Sequence, residues 1–104
     1  MSDQITKRLR DALAACDAIE FFLSGRSSDD YQADYGLRLQ IERLLEIIGE
    51  ALNQASIIDD QIQERRPGLR AIVGMRNRII HGYSEVDDRL IWLTATYRVP
   101  ELRE

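Results

Sequence analysis

The sequence predicts an all-α fold, an antiparallel bundle of four to five helices that forms one domain over residues 1–104. Apolar residues recur at steps of three and four along most of the chain, which is the period of a helix with one buried side. No stretch shows the convincing alternation of a half-buried strand. At 104 residues the chain can bury one modest core, which a partner subunit would enlarge.

The first two helices are predicted from their apolar stripes. Helix one ends at Leu23, Gly25 serves as its C-cap, and the polar stretch 24–28 forms a loop. A long second helix then covers about residues 30–55. The stripe of the first helix is Ile5, Leu9, Leu13, Cys16, Ile19 and Leu23, and that of the second is Leu37, Ile41, Leu44, Ile48, Ala51 and Ala55.

In the second half of the chain, the sequence predicts shorter helices, and glycine and proline end them. Residues 59–66 could form one or two turns before Pro67. A third substantial helix covers Leu69 to His81, and a fourth covers about residues 87–98 and is stopped by Pro100.

Charge and composition narrow the classes of function. The net charge is -4 and the pI is about 5.0, which argues against a broad basic surface for duplex DNA. The single cysteine, Cys16, cannot form an intramolecular disulfide and is expected in the core. The longest apolar runs are too short for a membrane span, and the charged N-terminus is unlike a signal peptide. We therefore expect a cytoplasmic protein without a membrane partner.

Three pairs of aspartates could in principle bind Mg²⁺. Each pair, however, falls where a helix is predicted to begin, and there a carboxylate caps free backbone N–H groups. Capping is therefore the favoured interpretation. The pairs are Asp29-Asp30, Asp59-Asp60 and Asp87-Asp88.

The stretch MRNRIIHGY, residues 75–83, departs from the amphipathic pattern of the third helix. On a helical wheel that starts at Leu69, Arg76 falls near about 340°, within the apolar arc. Two interpretations stay open. Arg76 could pair with a glutamate of the second helix, such as Glu46 or Glu50. Alternatively, Arg76 could bind a phosphate while a nearby histidine transfers protons.

The histidine of this stretch, His81, is the only one in the chain, and this limits the chemistry. One histidine and one cysteine cannot form the usual zinc site, so no metal is expected. Acid–base cleavage of RNA needs one group that accepts a proton and another that donates one. A two-fold dimer would bring two copies of Arg76 and His81 together, so the sequence favours a composite site if the protein dimerises.

The same stretch resembles the R-x4-H-x-Y signature of the HepT-like group within the HEPN superfamily, with Arg76, Asn77, His81 and Tyr83 in the matching positions. Further matches occur in the same order along the chain, and the resemblance covers nearly all of it, least specifically in the first helix. They are IGEA from Ile48, Pro67, IVGMRNRIIHGY from Ile72 and VDDRLIW from Val86 to Trp92.

The resemblance implies a homodimeric HEPN bundle that acts as a metal-independent endoribonuclease, the toxin of a toxin–antitoxin pair. Arg76 would stabilise charge on the phosphate, His81 would be the general acid or base, and Asn77 would support the site. Arg78 and Arg70 are candidates for further RNA contacts. The implied substrate is RNA, with tRNA among the candidates.

The resemblance also implies a partner, a minimal nucleotidyltransferase antitoxin of the MntA type. It would transfer AMP from ATP to Tyr83, while the chain itself would need no cofactor. From the residues alone, Tyr83 is better explained as a ring that packs the helix end against the next helix. Two other functions stay open: a non-catalytic subunit that docks or presents a nucleotide to a nucleotidyltransferase, and a plain helical interaction domain.

Overall fold

The structure, a computed structural model, describes residues 3–59, 61, 69–80 and 88–100. Within these residues the chain is helical apart from short connections, and it contains no strand, so the predicted all-α class is confirmed. The elements are α1 (Asp3–Leu23), α2 (Ser28–Ala33), α3 (Tyr35–Ile58), α4 (Leu69–Ile80) and α5 (Asp88–Leu93), followed by a π-helical turn (Thr94–Arg98).

Helix α3 is the centre of the bundle, since it packs along α1 and along α4. The core lies between these helices, α5 and the π-helical turn. Burial of its apolar surface is the main stabilising contribution. Its most deeply buried aliphatic side chains are Ile19, Ile41, Leu45, Ile48, Ile72, Ile91 and Val99.

One position in the predicted apolar stripes was wrong, and another is buried less deeply than its neighbour. Leu13 of α1 is 48% exposed, and the inner face instead includes Ala12 and Ala15. In α3, Leu44 is only partly buried, whereas its neighbour Leu45 is fully buried. Consecutive residues lie about 100° apart on a helix, so a small rotation of the buried face exchanges such neighbours.

The second predicted helix is in fact two helices, because Asp34 interrupts it. Ser27 begins α2 with a capping box: its hydroxyl accepts the Asp30 N–H at 3.1 Å, and the Asp30 carboxylate accepts the Ser27 N–H at 2.9 Å. Asp34 is non-helical, and its carboxylate accepts the Leu37 N–H at 3.0 Å to start α3. Aspartate competes with the helical backbone in this way, which explains the break.

The other predicted helix ends show mixed outcomes. Gly25 has a φ of +74° after α1, which confirms its capping role. Asp59 ends α3, and its carboxylate accepts the Gln61 N–H at 3.0 Å, while Asp88 lies in the first turn of α5. Asp60 and Asp87 lie outside the described residues. Among the described ones, no group of three or more His, Cys, Asp or Glu side chains could hold a metal ion.

The last helix does not stop before Pro100, because Val99 and Pro100 are still helical. In a regular helix the proline ring would clash with the carbonyl four residues earlier. The π-helical turn immediately before it widens the backbone and relieves that constraint. None of the helices in the described ranges is long and apolar enough to cross a bilayer.

Candidate functional site

Helix α4 presents its apolar side chains to the core and carries Arg76 at the edge of that face. Ile72 and Met75 are buried, and Val73 and Ile79 are partly buried against the core. The Arg76 side chain is 23% exposed, so it lies at the border between the α3–α4 contact and solvent. The predicted position of this arginine on the inner side of the helix is thus confirmed.

Two oxygen atoms hold the guanidinium group of Arg76. Its Nη2 donates to Glu50 Oε2, and its Nη1 donates to Asn77 Oδ1 at 2.7 Å. The expected pairing with a glutamate of the preceding long helix is therefore confirmed for Glu50. The other candidate, Glu46, instead accepts from Arg43 at 3.1 Å.

Gly49 allows this arrangement by letting α3 approach the stem of Arg76. A Cβ atom at Gly49 would lie 2.4 Å from Arg76 Cβ and 2.9 Å from Arg76 Cγ. These distances are far below normal contact, and the Cβ of a helical residue cannot move aside without moving its helix. Only glycine fits at this position with the present spacing of the two helices.

The Nε atom of Arg76 is buried and has no hydrogen-bond partner among the described residues. A guanidinium carries five N–H donors, so the two contacts to Glu50 and Asn77 leave donor capacity unused. Buried donors without partners are uncommon in native structures and often mark functional positions. The arginine is thus positioned firmly and satisfied only in part.

A groove of about 500 Å³ opens between α1 and α3, next to Glu50. Glu50 belongs to both features, because it lines the groove and accepts from Arg76. The groove contains two arginines and three carboxylates, so its charge is mixed and not strongly basic. Its lining consists of Arg8, Asp11, Arg43, Glu46, Ile47, Glu50 and Ala51.

The remaining predicted site residues are located only in part. His81 and Tyr83 lie outside the described residues, so their roles stay predictions. Arg70 and Arg78 lie on helix α4, of which the backbone is described at these positions. Within the described part of the chain, the site consists of Arg76, Asn77, Glu50 and the glycine beneath them.

Gly49 is the site residue that sequence reasoning missed. The motif IGEA was noted for its resemblance to a family pattern, but its physical use was not identified. Glycine inside a long helix is unfavourable relative to alanine, which is a signal of close helix packing. A glycine directly before a candidate counter-ion could have indicated a close helix contact at this point of α3, although not which helix makes it.

A second polar cluster lies where α2, α3 and α5 meet. The Arg38 Nε atom is 3.5 Å from the Asp88 carboxylate, and the Tyr31 and Trp92 rings are 5.7 Å apart. Burial, and then the Asp88 carboxylate, raise the pKa of Glu42 above its usual value. Burial likewise raises the pKa of the Tyr31 phenol, whose hydroxyl is buried without a partner among the described residues.

Known proteins resemble this chain over nearly its whole length. A protein of Methanocaldococcus jannaschii named "Putative RNase" is 32% identical over 92% of this chain and 82% of its own length. One of Caldanaerobacter subterraneus with the same name is 33% identical, over 92% and 85%. A protein of Thermococcus cleftensis named "Probable ribonuclease HepT" is 32% identical, over 91% and 86%.

No solved structure is significantly similar to the chain. The sequence pattern of the family described as "Ribonuclease HepT-like" matches residues 12–104, which include the second half of α1, all later helices of the structure and the residues around Arg76. On this match, and on relatives that align over most of both chains, the protein belongs to the ribonuclease HepT-like family.

Proposed function

We propose that the protein is a metal-independent endoribonuclease that acts as the toxin of a toxin–antitoxin pair. The single observation that carries this proposal is the Arg76 guanidinium, which is fixed by Glu50 and Asn77 and, among the described residues, still has donors without a partner at the edge of the core. Membership of the ribonuclease HepT-like family supports the same reaction. Arginine suits this task because its planar fork matches the oxygens of a phosphate group.

The proposed reaction is transesterification within the RNA strand. The 2′-hydroxyl oxygen attacks the adjacent phosphorus, the bond from phosphorus to the 5′-oxygen breaks, and a 2′,3′-cyclic phosphate forms. His81 takes the proton of the 2′-hydroxyl, and the partner chain's copy of this histidine gives a proton to the departing 5′-oxygen. Arg76 stabilises the charge that develops on the phosphorane oxygens.

A homodimer follows from this division of roles, since one chain supplies a single histidine. In a two-fold dimer, both copies of the C-terminal end of helix α4 would contribute to one composite site. We propose cytoplasmic RNA as the substrate, with tRNA among the candidates. Arg70 and Arg78 are proposed to contact the RNA backbone, because they lie on the same helix as Arg76.

Regulation is proposed to occur at Tyr83, two residues after His81. A minimal nucleotidyltransferase of the MntA type would bring ATP, and the tyrosine oxygen would attack its α-phosphorus and release pyrophosphate. The attached AMP adds bulk and negative charge beside the arginine, which would exclude the RNA phosphate. ATP is then used by the partner, and the protein itself needs no cofactor.

Expression of the chain alone tests the toxin role. We expect growth arrest that is relieved by Arg76→Ala or His81→Ala, while both variants remain folded and soluble. Arrest that persists unchanged in both variants would remove the catalytic assignment. It would favour the alternative, a non-catalytic helical partner or nucleotide-presenting subunit of a nucleotidyltransferase.

Co-expression with a minimal nucleotidyltransferase tests the modification. Intact-mass analysis should show the addition of one or more AMP units to the wild-type chain and none to Tyr83→Phe. An unmodified wild-type chain, or modification that persists in Tyr83→Phe, would contradict this part of the proposal.

A further inference from the structure

Glu50 lies between the groove and the guanidinium group that is proposed to bind the substrate phosphate. Its side chain is 40% exposed, whereas that of Arg76 is 23% exposed. The carboxylate is thus the more accessible member of the ion pair. A phosphate that approaches from the groove encounters this negative charge before it reaches the arginine.

Each accessible nitrogen of Arg76 already has one of its two N–H groups in a hydrogen bond. Its Nε is buried, so an incoming phosphate can reach only the terminal nitrogens. Of these, Nη1 donates to the neutral amide oxygen of Asn77, and Nη2 donates to the charged carboxylate of Glu50. A phosphate oxygen that binds the second N–H of Nη2, or that replaces Glu50 on the first, lies next to the Glu50 carboxylate, and the two anions repel each other at that range.

The stem of Arg76 cannot move to avoid this competition. Its Cβ and Cγ atoms lie directly over Gly49, and the close approach of the two helices holds them there. Only the far end of the side chain can rotate. Exchange of the guanidinium between carboxylate and phosphate is therefore a local movement that leaves the packing of α3 against α4 unchanged.

We infer that Glu50 is a positioning residue that orients Arg76 in the RNA-free protein and competes with the substrate phosphate for it. This inference rests on the proposed function and adds a residue to it. The carboxylate prevents the arginine from collapsing onto other oxygens, and it lowers the affinity of the site for any phosphate. Glu50 therefore weakens the binding of RNA, but it keeps the guanidinium group of Arg76 oriented for the reaction.

Two substitutions of Glu50 separate the effect of its charge from the effect of its hydrogen bond. In Glu50→Gln the amide oxygen can still accept from Nη2, but the negative charge is gone. In Glu50→Ala both the charge and the acceptor are lost. Glutamine should therefore strengthen binding and retain more turnover than alanine, which should impair it because the guanidinium is no longer oriented.

The matched control is Glu46→Gln. Glu46 lines the same groove and lies one helical turn from Glu50, but it pairs with Arg43 at 3.1 Å and not with Arg76. The two glutamine variants remove the same charge from the same groove. A difference between them therefore measures the contact with the arginine and not the overall electrostatic field.

The experiment uses the full-length chain at 0.15 M ionic strength, with a fluorescein-labelled 2′-O-methyl RNA oligonucleotide that cannot be cleaved. Fluorescence anisotropy should give a Kd about two- to fivefold lower for Glu50→Gln than for wild type, the scale of a partly exposed ion pair. Glu46→Gln should change the Kd by less than about 1.5-fold. With the unmodified RNA, Glu50→Gln should lower KM, whereas Glu50→Ala should lower kcat about tenfold or more, a larger decrease of kcat than in Glu50→Gln.

The possible results distinguish the role of Glu50 from the proposed ribonuclease function. An unchanged or higher Kd in Glu50→Gln would overturn the inference, and so would an equal decrease of the Kd in Glu46→Gln. Neither result would contradict the proposed ribonuclease function. A wild-type chain that binds the oligonucleotide but does not cleave RNA would contradict the proposed function, while the Kd comparison would still decide the role of Glu50. A wild-type chain that does not bind the oligonucleotide would contradict both.

Discussion

Gly49 and Arg76 are in such close contact that a single added carbon would not fit between them. A Cβ atom at Gly49 would lie 2.4 Å from Arg76 Cβ and 3.3 Å from the Ile72 carbonyl oxygen. The glycine therefore sets the distance between α3 and α4, and through that distance it sets the place of the guanidinium beside Glu50. Packing and the candidate site depend on the same residue.

Gly49→Ala should destabilise the protein, because the new methyl group must push α3 away from the stem of Arg76. We expect a loss of about 1–3 kcal/mol in the free energy of unfolding, which is the usual cost of an overpacked contact. Urea denaturation at fixed chain concentration measures it. RNA cleavage should fall as well, since the displaced arginine loses its alignment.

Gly74→Ala is the matched control on the neighbouring helix. Gly74 is exposed in α4, and a Cβ atom there would meet nothing within 4 Å. Alanine at an exposed helical position is favoured over glycine by about 0.5–1 kcal/mol, so this variant should be slightly more stable than wild type. Equal effects of the two substitutions would show that helix propensity, and not the contact with Arg76, governs Gly49.

Tyr31→Phe should leave the protein as stable as wild type or make it more stable. The Tyr31 side chain is fully buried, and its hydroxyl has no partner among the described residues. Removal of a buried hydroxyl without a partner relieves a cost of about 1–3 kcal/mol, while the ring keeps its contact with Trp92. Thermal unfolding followed by Trp92 fluorescence checks this, and a clear decrease in Tm would show that the hydroxyl is hydrogen-bonded in solution.

Glu42 should make stability depend on pH. Its pKa in the folded protein is raised above the ordinary value of 4.5 by burial, by Asp88 and by Glu46, while Arg38 opposes them. The folded protein therefore binds this proton more tightly than the unfolded chain does. The resulting contribution to stability is fully present below pH 4.5 and is lost as the pH rises through the folded pKa.

Glu42→Gln tests this dependence, because glutamine has no proton to lose. The stability of the variant relative to wild type should increase from pH 4 to pH 7. At the higher pH only the wild-type protein carries the partly buried charge of Glu42, which lowers its free energy of unfolding. Urea denaturation of both proteins at the two pH values gives the comparison. A difference in the free energy of unfolding that stays constant with pH would contradict the assigned shift.

The sequence predicted the helical architecture because periodicity reports directly which side of a helix is buried. Gly25 was identified correctly because its capping role depends on nearby residues alone. The break at Asp34 was missed, since a carboxylate that caps the following helix looks the same in sequence as one exposed on a continuous helix. The exchange of Leu44 for Leu45 was missed for another reason, because the rotation of a helix is set by its neighbours.

The charged residues of the candidate site could be predicted from the sequence, but the helix packing beneath them could not. The anomalous place of Arg76 on the wheel followed from helical geometry. The cost of an unpaired charge indicated an anionic partner, and Glu50 was one of two glutamates named for it beside a phosphate. The role of Gly49 could not follow, because it depends on where two helices cross. That crossing is a tertiary relationship that one sequence does not reveal by its local pattern.

The most direct test of the central claim is RNA cleavage by Arg76→Ala measured together with its stability. The claim is that this arginine serves the reaction and is not merely a satisfied ion pair of the core. Because the pair with Glu50 is partly exposed, its loss should cost only about 0–1 kcal/mol of stability. We expect cleavage to fall by about 100-fold or more, the scale of a lost oxyanion contact, in a protein that remains folded. Cleavage equal to that of wild type, or a loss of activity that is fully explained by unfolding, would contradict the account.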